Sequence, residues 1–356
     1  MKRPSTRGLI ERWREHLPVS AATPIVTLGE GDTPLVRAPA LEDEIGGDHA
    51  IYVKFEGANP TGSFKDRGMT VALSKAMEEG SRGVICASTG NTSAAAAAYA
   101  GRAGIPCWVV LPAGKVALGK LAQAVVHGAQ VVPVTGNFDA ALELVRTVAR
   151  EESLTLVNSV NPYRIEGQKT LAFEIVEAFG GAPTAHFLPV GNAGNITATW
   201  RGYREIVPNA EERPRLFGYQ AAGAAPIVAG HPIENPETIA TAIRIGNPAS
   251  WEGAVNAATE SGGAIAAVTD DEILSAYHLL ASRVGIFCEP ASAASVAGLR
   301  QRHARGELDL PAGSTIVCTL TGHGLKDPDR ATHGVTVDDP IEPTLDAFRT
   351  RLESNA

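Results

Sequence analysis

Two hydrophobic periods alternate along most of the chain. Runs rich in aliphatic and β-branched residues at 51–55, 84–87, 107–111, 130–134 and 154–157 read as strands. Between them, apolar residues recur at helical spacing up to residue 79 and over 92–104, 116–127 and 138–150. The second half repeats the pattern, with helices predicted at 165–179, 196–207, 270–285 and 291–302 and strands at 185–190, 215–219 and 316–320. A short amphipathic helix is predicted at 6–17, and the Gly31-Asp32-Thr33-Pro34-Leu35 turn feeds an extended segment. Residues 221–263 are too rich in glycine, alanine and proline to place.

Strand and helix alternating in this way predict an α/β fold with mainly parallel sheets. We expect two αβ units packed around a cleft, the place where ligands gather outside strand C-termini.

Composition narrows the function. The chain has 356 residues, 44% hydrophobic and 20% charged, enough for a substantial core. A net charge of −8 argues against broad binding to nucleic acid and leaves room for a local basic pocket for a small anion. Cys86, Cys107, Cys288 and Cys318 lack zinc or redox spacing, no HExxH or paired-histidine pattern suggests a metal, and no GxSxG elbow is present. No apolar run is long enough to span a membrane, and the start lacks a signal-peptide core, so a cytoplasmic location is expected.

Candidate chemistry gathers where predicted strands meet helices. In Gly62-Ser63-Phe64-Lys65-Asp66-Arg67-Gly68, Lys65 falls in a first helical turn, where the helix dipole disfavours a cation. Met69, Ala72, Leu73 and Ala76 mark the helix as packed on a core, and partial burial would ease loss of the lysine proton. Asp66 and Arg67 are expected to orient the turn. Gly191-Asn192-Ala193-Gly194-Asn195 has the character of a phosphate cup at a helix N-terminus, set against the alternative of an ordinary glycine turn. Ser88, Thr89, Asn91 and Thr92 surround a glycine at another helix start and suit a carboxylate. Asn158, Ser159 and Arg164 suit an oxyanion, the alternative being an Arg164 paired with Glu166. Thr321 closes the last predicted strand. Gly114 to Lys120 has P-loop spacing but puts Leu121 where a hydroxyl is needed, and reads as accidental.

The lysine run resembles that of fold type II pyridoxal-phosphate enzymes, the tryptophan synthase β family. With the Gly31–Leu35 turn, the Asn91 loop, the Arg164 segment, the 191–195 loop and the Thr321 turn, the set resembles the threonine synthases over nearly the whole chain. The resemblance implies two αβα domains with mainly parallel twisted sheets and the active site in the cleft between them. A larger cofactor-binding unit would comprise 1–55 with 155–356, and a smaller αβ unit 56–154.

By the same resemblance, Lys65 is the catalytic residue and holds pyridoxal 5'-phosphate as a Schiff base. Asn91 meets its phenolate oxygen, Gly191, Asn192, Ala193, Gly194 and Asn195 hold its phosphate, and Thr321 meets its ring nitrogen. Ser88, Thr89, Asn91 and Thr92 would bind the carboxylate of O-phospho-L-homoserine, and Asn158, Ser159 and Arg164 its phosphate. The products would be L-threonine and phosphate, and a homodimer is expected. The short region before the Gly31–Leu35 turn implies no S-adenosylmethionine control of the plant type. The rival readings are a dehydratase-type pyridoxal enzyme and a non-catalytic binding protein, the second disfavoured by Lys65.

Overall fold

Strands that read as unbroken apolar runs are covered on both faces. The computed structural model describes residues 8–113, 118–136, 138–333 and 339–354. Its strands are β1 Leu35–Arg37, β2 Ala50–Phe55, β3 Val84–Ala87, β4 Cys107–Pro112, β5 Gln130–Val134, β6 Thr155–Leu156, β7 Ala185–Pro189, β8 Arg215–Ala221, β9 Ala264–Val268 and β10 Thr315–Leu320. A six-stranded sheet runs β1-β2-β10-β7-β8-β9 and a four-stranded sheet β5-β4-β3-β6. All pairings are parallel except β1 with β2. Every residue of β3 and β7 is buried, as helical crossovers on both faces of a parallel sheet require.

The main elements fall where the hydrophobic periods put them, and the differences have local causes. The helix expected at 165–179 is two helices, Pro162–Gln168 and Thr170–Phe179. It starts early because Asn161 accepts the Tyr163 N–H and Pro162 occupies the first turn. The helix expected at 270–285 ends at Leu279 and passes into a π turn, Leu280–Val284. Within 221–263 lie the helices Pro226–Ala229 and Trp251–Glu260, followed by β9, an edge strand half-exposed over most of its length and therefore weakly patterned. The first helix is confined to Leu9–Arg12, followed by a 3₁₀ turn, Arg14–His16. Residues 6 and 7 of the expected helix, and most of Gly114 to Lys120, lie outside the described residues.

The helix Lys65–Glu78 carries the lysine motif, and an ion network under its first turn fixes its place. Arg67 is fully buried and bonds Glu56 through Nε (2.6 Å) and Nη2 (2.8 Å) and Glu174 through Nη1 and Nη2 (2.7 Å each). Lys54 Nζ reaches Glu174 Oε2 at 2.7 Å and the Thr33 carbonyl at 2.6 Å. Two cations thus face two carboxylates, and Glu174 is held well below the usual carboxylate range by Arg67 and Lys54 against the opposing effect of burial. Asp32 N–H donates to Glu174 and Gly31 N–H to Asn59, so the Gly31–Leu35 turn is a wall of this network.

On its other side the helix touches Pro162–Gln168 backbone to backbone. A Cβ on Gly167 would stand 1.9 Å from the Arg67 carbonyl oxygen, and one on Gly68 2.8 Å from that of Arg164. Gly167→Ala should therefore force the helices apart and cost about 1–3 kcal/mol or more. A thermal melt checks this, and an unchanged Tm would show that the contact yields without strain.

Candidate active site

Lys65 is the first residue of its helix, and the turn before it pairs like a strand with the loop that follows β10. Phe64 N–H donates to the Thr321 carbonyl (3.0 Å) and His323 N–H to the Gly62 carbonyl (2.9 Å). Gly62 adopts φ 84°, a conformation open to glycine. Asp66 is buried and accepts bonds from Thr61 N–H (2.6 Å) and the Thr61 hydroxyl, so it ties down the turn as expected. Burial outweighs these bonds and pushes its carboxyl up to about 7.

The Lys65 residue keeps some exposure, but its amine is set deep among atoms of both layers and lies 4.2 Å from the centroid of the Phe64 ring. Burial first, and the positive charge of Arg164 second, lower its proton affinity to about 7, with Glu289 acting in the opposite sense. A lysine so placed is an effective nucleophile and proton carrier near neutral pH.

Arg164 belongs to the helix that Gly68 and Gly167 press against the lysine helix. It is 1% exposed, and among the described residues its guanidinium makes one hydrogen bond, from Nη1 to the Val157 carbonyl (3.2 Å). Nε and Nη2 are buried with no partner, and burial lowers its pKa to about 10. Pairing with Glu166 is ruled out, since Glu166 is held by Lys169 (2.8 Å) and Arg201 (2.5 Å). A buried guanidinium with two idle donors is a site for an anion.

Asn158 engages both groups of its side chain with the Ala87 peptide, at 2.9 Å each, and so fastens its segment to the end of β3. Ser88, Thr89 and Thr92 follow on that loop, and Ser88 Oγ accepts the Gly90 N–H. Asn91, first in the helix Asn91–Ala103, donates to Glu289 Oε2 at 3.1 Å. Thr321 Oγ1 lies 3.2 Å from Glu289 Oε1 and 3.0 Å from Ser292 Oγ. Ser159 is half-buried.

Residues 191–195 lead from β7 into the helix Gly194–Ile206. Ala193 has φ 64°, and a Cβ on Gly191 would come within 2.9 Å of Ile243 Cα, so the loop is drawn tight. Asn192 Oδ1 accepts the Ala249 N–H at 2.6 Å. Both side-chain polar atoms of Asn195 are buried without partners. Orphaned amide atoms at the N-terminus of a long helix fit a phosphate. Together with an amine of lowered proton affinity and the Asn91 and Thr321 side chains, they fit pyridoxal 5'-phosphate.

Two residues of this cluster escaped the motifs, Glu289 and Ser292. Glu289-Pro290 before a helix of alanines and serines was the signal available, because a helix of small residues must lie buried with its cap. Lys326 Nζ reaches Gln123 on the helix Leu118–Val126 of the other layer. Among the described residues no cluster could hold a metal, and no helix is long and apolar enough to cross a membrane.

This combination of two mainly parallel sheets, a helix-borne lysine and a loop fitted to a phosphate defines a pyridoxal-phosphate enzyme. The family profile of pyridoxal-phosphate dependent enzymes matches residues 26–322. Threonine synthase of Halalkalibacterium halodurans is 60% identical over 95% of this chain and 94% of its own length. That of Synechocystis sp. is 58% identical over 96% and 89%, and that of Methanocaldococcus jannaschii 54% over 90% and 81%. The fold is shared with a processed threonine deaminase from Solanum lycopersicum (TM-score 0.74, 22% identity, 91% of this chain and 86% of that one). It is also shared with a cysteine synthase from Entamoeba histolytica (TM-score 0.74, 19% identity, 87% and 90%). The chain belongs to the pyridoxal-phosphate dependent enzymes and, among them, to the threonine synthases.

Because Arg164 depresses the Lys65 amine, Arg164→Gln should raise its pKa. Amine-selective labelling of the cofactor-free protein should reach half-maximal rate near pH 7 at Lys65 and shift to higher pH in the variant. An unmoved midpoint would separate the two residues.

Proposed function

We propose that the chain converts O-phospho-L-homoserine and water to L-threonine and phosphate, with pyridoxal 5'-phosphate held on Lys65. The observation that carries this reading is a pair of unsatisfied buried groups, the orphaned Asn195 amide of the 191–195 loop and the idle guanidinium of Arg164, the second of which also lowers the proton affinity of Lys65. One phosphate belongs to the cofactor and the other to the substrate. A dehydratase acting on an unphosphorylated amino acid has no use for the second site.

When bound, the cofactor supplies an electron sink beside the substrate's amino-bearing carbon. Lys65, its proton affinity near neutrality, takes the proton from Cα and returns protons to the substrate chain. Ser88, Thr89, Asn91 and Thr92, at the start of a long helix, hold the substrate carboxylate. Arg164 and Ser159 hold its phosphate as it leaves Cγ, and Asn158, braced on Ala87, keeps that segment in register with the carboxylate loop. Asn91 and Thr321 orient the ring, and Gly191, Asn192, Ala193, Gly194 and Asn195 hold its phosphate.

The same reading divides the chain into 1–55 with 155–356 and 56–154. The two sheets support it, with β6 falling just past the boundary. A homodimer is supported by Leu345, Phe348 and Leu352, exposed along one face of the helix Leu345–Ser354. A reducing cytoplasmic setting is supported by four buried free cysteines.

Release of phosphate from O-phospho-L-homoserine, with threonine formed in equal amount, tests the function, and Lys65→Ala should abolish it. Arg164→Ala removes charge-assisted hydrogen bonds and should lower kcat/KM by roughly tenfold or more. An equal loss on unphosphorylated amino acids would overturn its role at the substrate phosphate.

A further inference from the structure

Glu289 stands where the two layers meet, and no role has yet been given to it. It is 3% exposed and precedes the helix Pro290–Ala304, and its N–H donates to the Gly322 carbonyl at 3.0 Å. Its carboxyl group accepts from Asn91 Nδ2 on the smaller layer and lies against Thr321 Oγ1 on the larger one. Gly322 makes room for it, since a Cβ there would come within 2.5 Å of Oε1 and 2.6 Å of Cδ.

Counting hydrogens shows what this geometry controls. A threonine hydroxyl has a single hydrogen to give. Ser292 Oγ already accepts the Gly322 N–H at 2.9 Å, and its own hydrogen can go to Thr321 Oγ1 or to the Gly322 carbonyl. An ionised Glu289 accepts only, and so it consumes the Thr321 hydrogen. A protonated Glu289 donates to Thr321 and leaves that hydrogen free to point into the site.

We propose that Glu289 is a positioning residue, whose carboxyl proton decides whether Thr321 offers its hydroxyl hydrogen to the cofactor's ring nitrogen while the same carboxyl group steadies Asn91 from the opposite layer. This rests on the reading of Thr321 given above. The charged groups that face Glu289 are Lys65 on its helix and Lys326 on the turn after β10, and its chain neighbour is the buried Cys288 thiol. Both lysines favour the ionised form, and burial outweighs them, so the carboxyl holds its proton above the usual range.

Titration of cofactor-free protein with pyridoxal 5'-phosphate, followed by absorbance and by intrinsic fluorescence between pH 6 and 9, tests the proposal. Wild type is compared with Glu289→Gln, Glu289→Ala, Thr321→Val and the Glu289→Ala/Thr321→Val double variant, and melts of each apoprotein confirm folding. Glutamine always has a hydrogen to give Thr321. Its Kd should match wild type within about twofold toward low pH, where Glu289 holds its proton, and become roughly three- to tenfold tighter than wild type as rising pH ionises Glu289, the scale of one net hydrogen bond. Thr321→Val should weaken binding by about tenfold, and the effect of Glu289→Ala should differ between the wild-type and Thr321→Val backgrounds, because the two residues act through one hydrogen. A wild-type to glutamine ratio that stays flat with pH, or losses that multiply in the double variant, would overturn the role of Glu289. An unchanged Kd in Thr321→Val would instead overturn the reading of Thr321 on which it stands.

Discussion

A buried guanidinium is tolerated only where its charge and its hydrogen bonds are answered, and in this fold the answer organises the lysine motif. Arg67 sits two residues beyond Lys65 and is enclosed by Glu56, Glu174, Thr33 and Thr170. These partners come from the turn after β2, the Gly31–Leu35 turn and the helix Thr170–Phe179. With Lys54 as a second cation the charges balance. Deleting Glu56, Glu174 or Arg67 would leave an uncompensated charge in the core, a loss of about 3–5 kcal/mol. The network therefore acts as a register pin, and the helix that carries Lys65 has little freedom to rotate or slide.

The lysine is thus placed by charges beneath it and tuned by a charge beside it. The glycine pair Gly68 and Gly167 lets the Arg164 helix come within backbone contact, which brings a second cation near an amine that burial has already made reluctant to hold its proton. One close helix approach places both the Lys65 amine and the idle Arg164 guanidinium. Removing either glycine would loosen both, so packing and chemistry here are a single constraint.

The site is also assembled across the two layers. The turn before Lys65 pairs with the loop after β10, and the Glu289 carboxyl group joins Asn91 to Thr321. Each link is a directional hydrogen bond between segments far apart in the chain. Such links set the geometry of the cleft more tightly than apolar packing would, because a hydrogen bond weakens steeply when misaligned.

Much of this was readable in the order of residues alone. Strand and helix periods showed the parallel α/β layers, because hydrophobic periodicity is a local property. The lysine run, the 191–195 loop and the polar helix starts were visible because each is a short stretch with its own conformational demand. Three things depended on tertiary structure. Arg164 could have paired with its neighbour Glu166, and only packing against Gly68 and Gly167 buries it with idle donors while Glu166 turns to Lys169 and Arg201. Asn158 looked like a free ligand group, and the fold commits it to Ala87. Glu289 carries no motif, since its significance lies in meeting residues 198 and 32 positions away. Local sequence specifies elements and turn chemistry, whereas proton affinities and hydrogen-bond choices follow from which distant groups share a desolvated space.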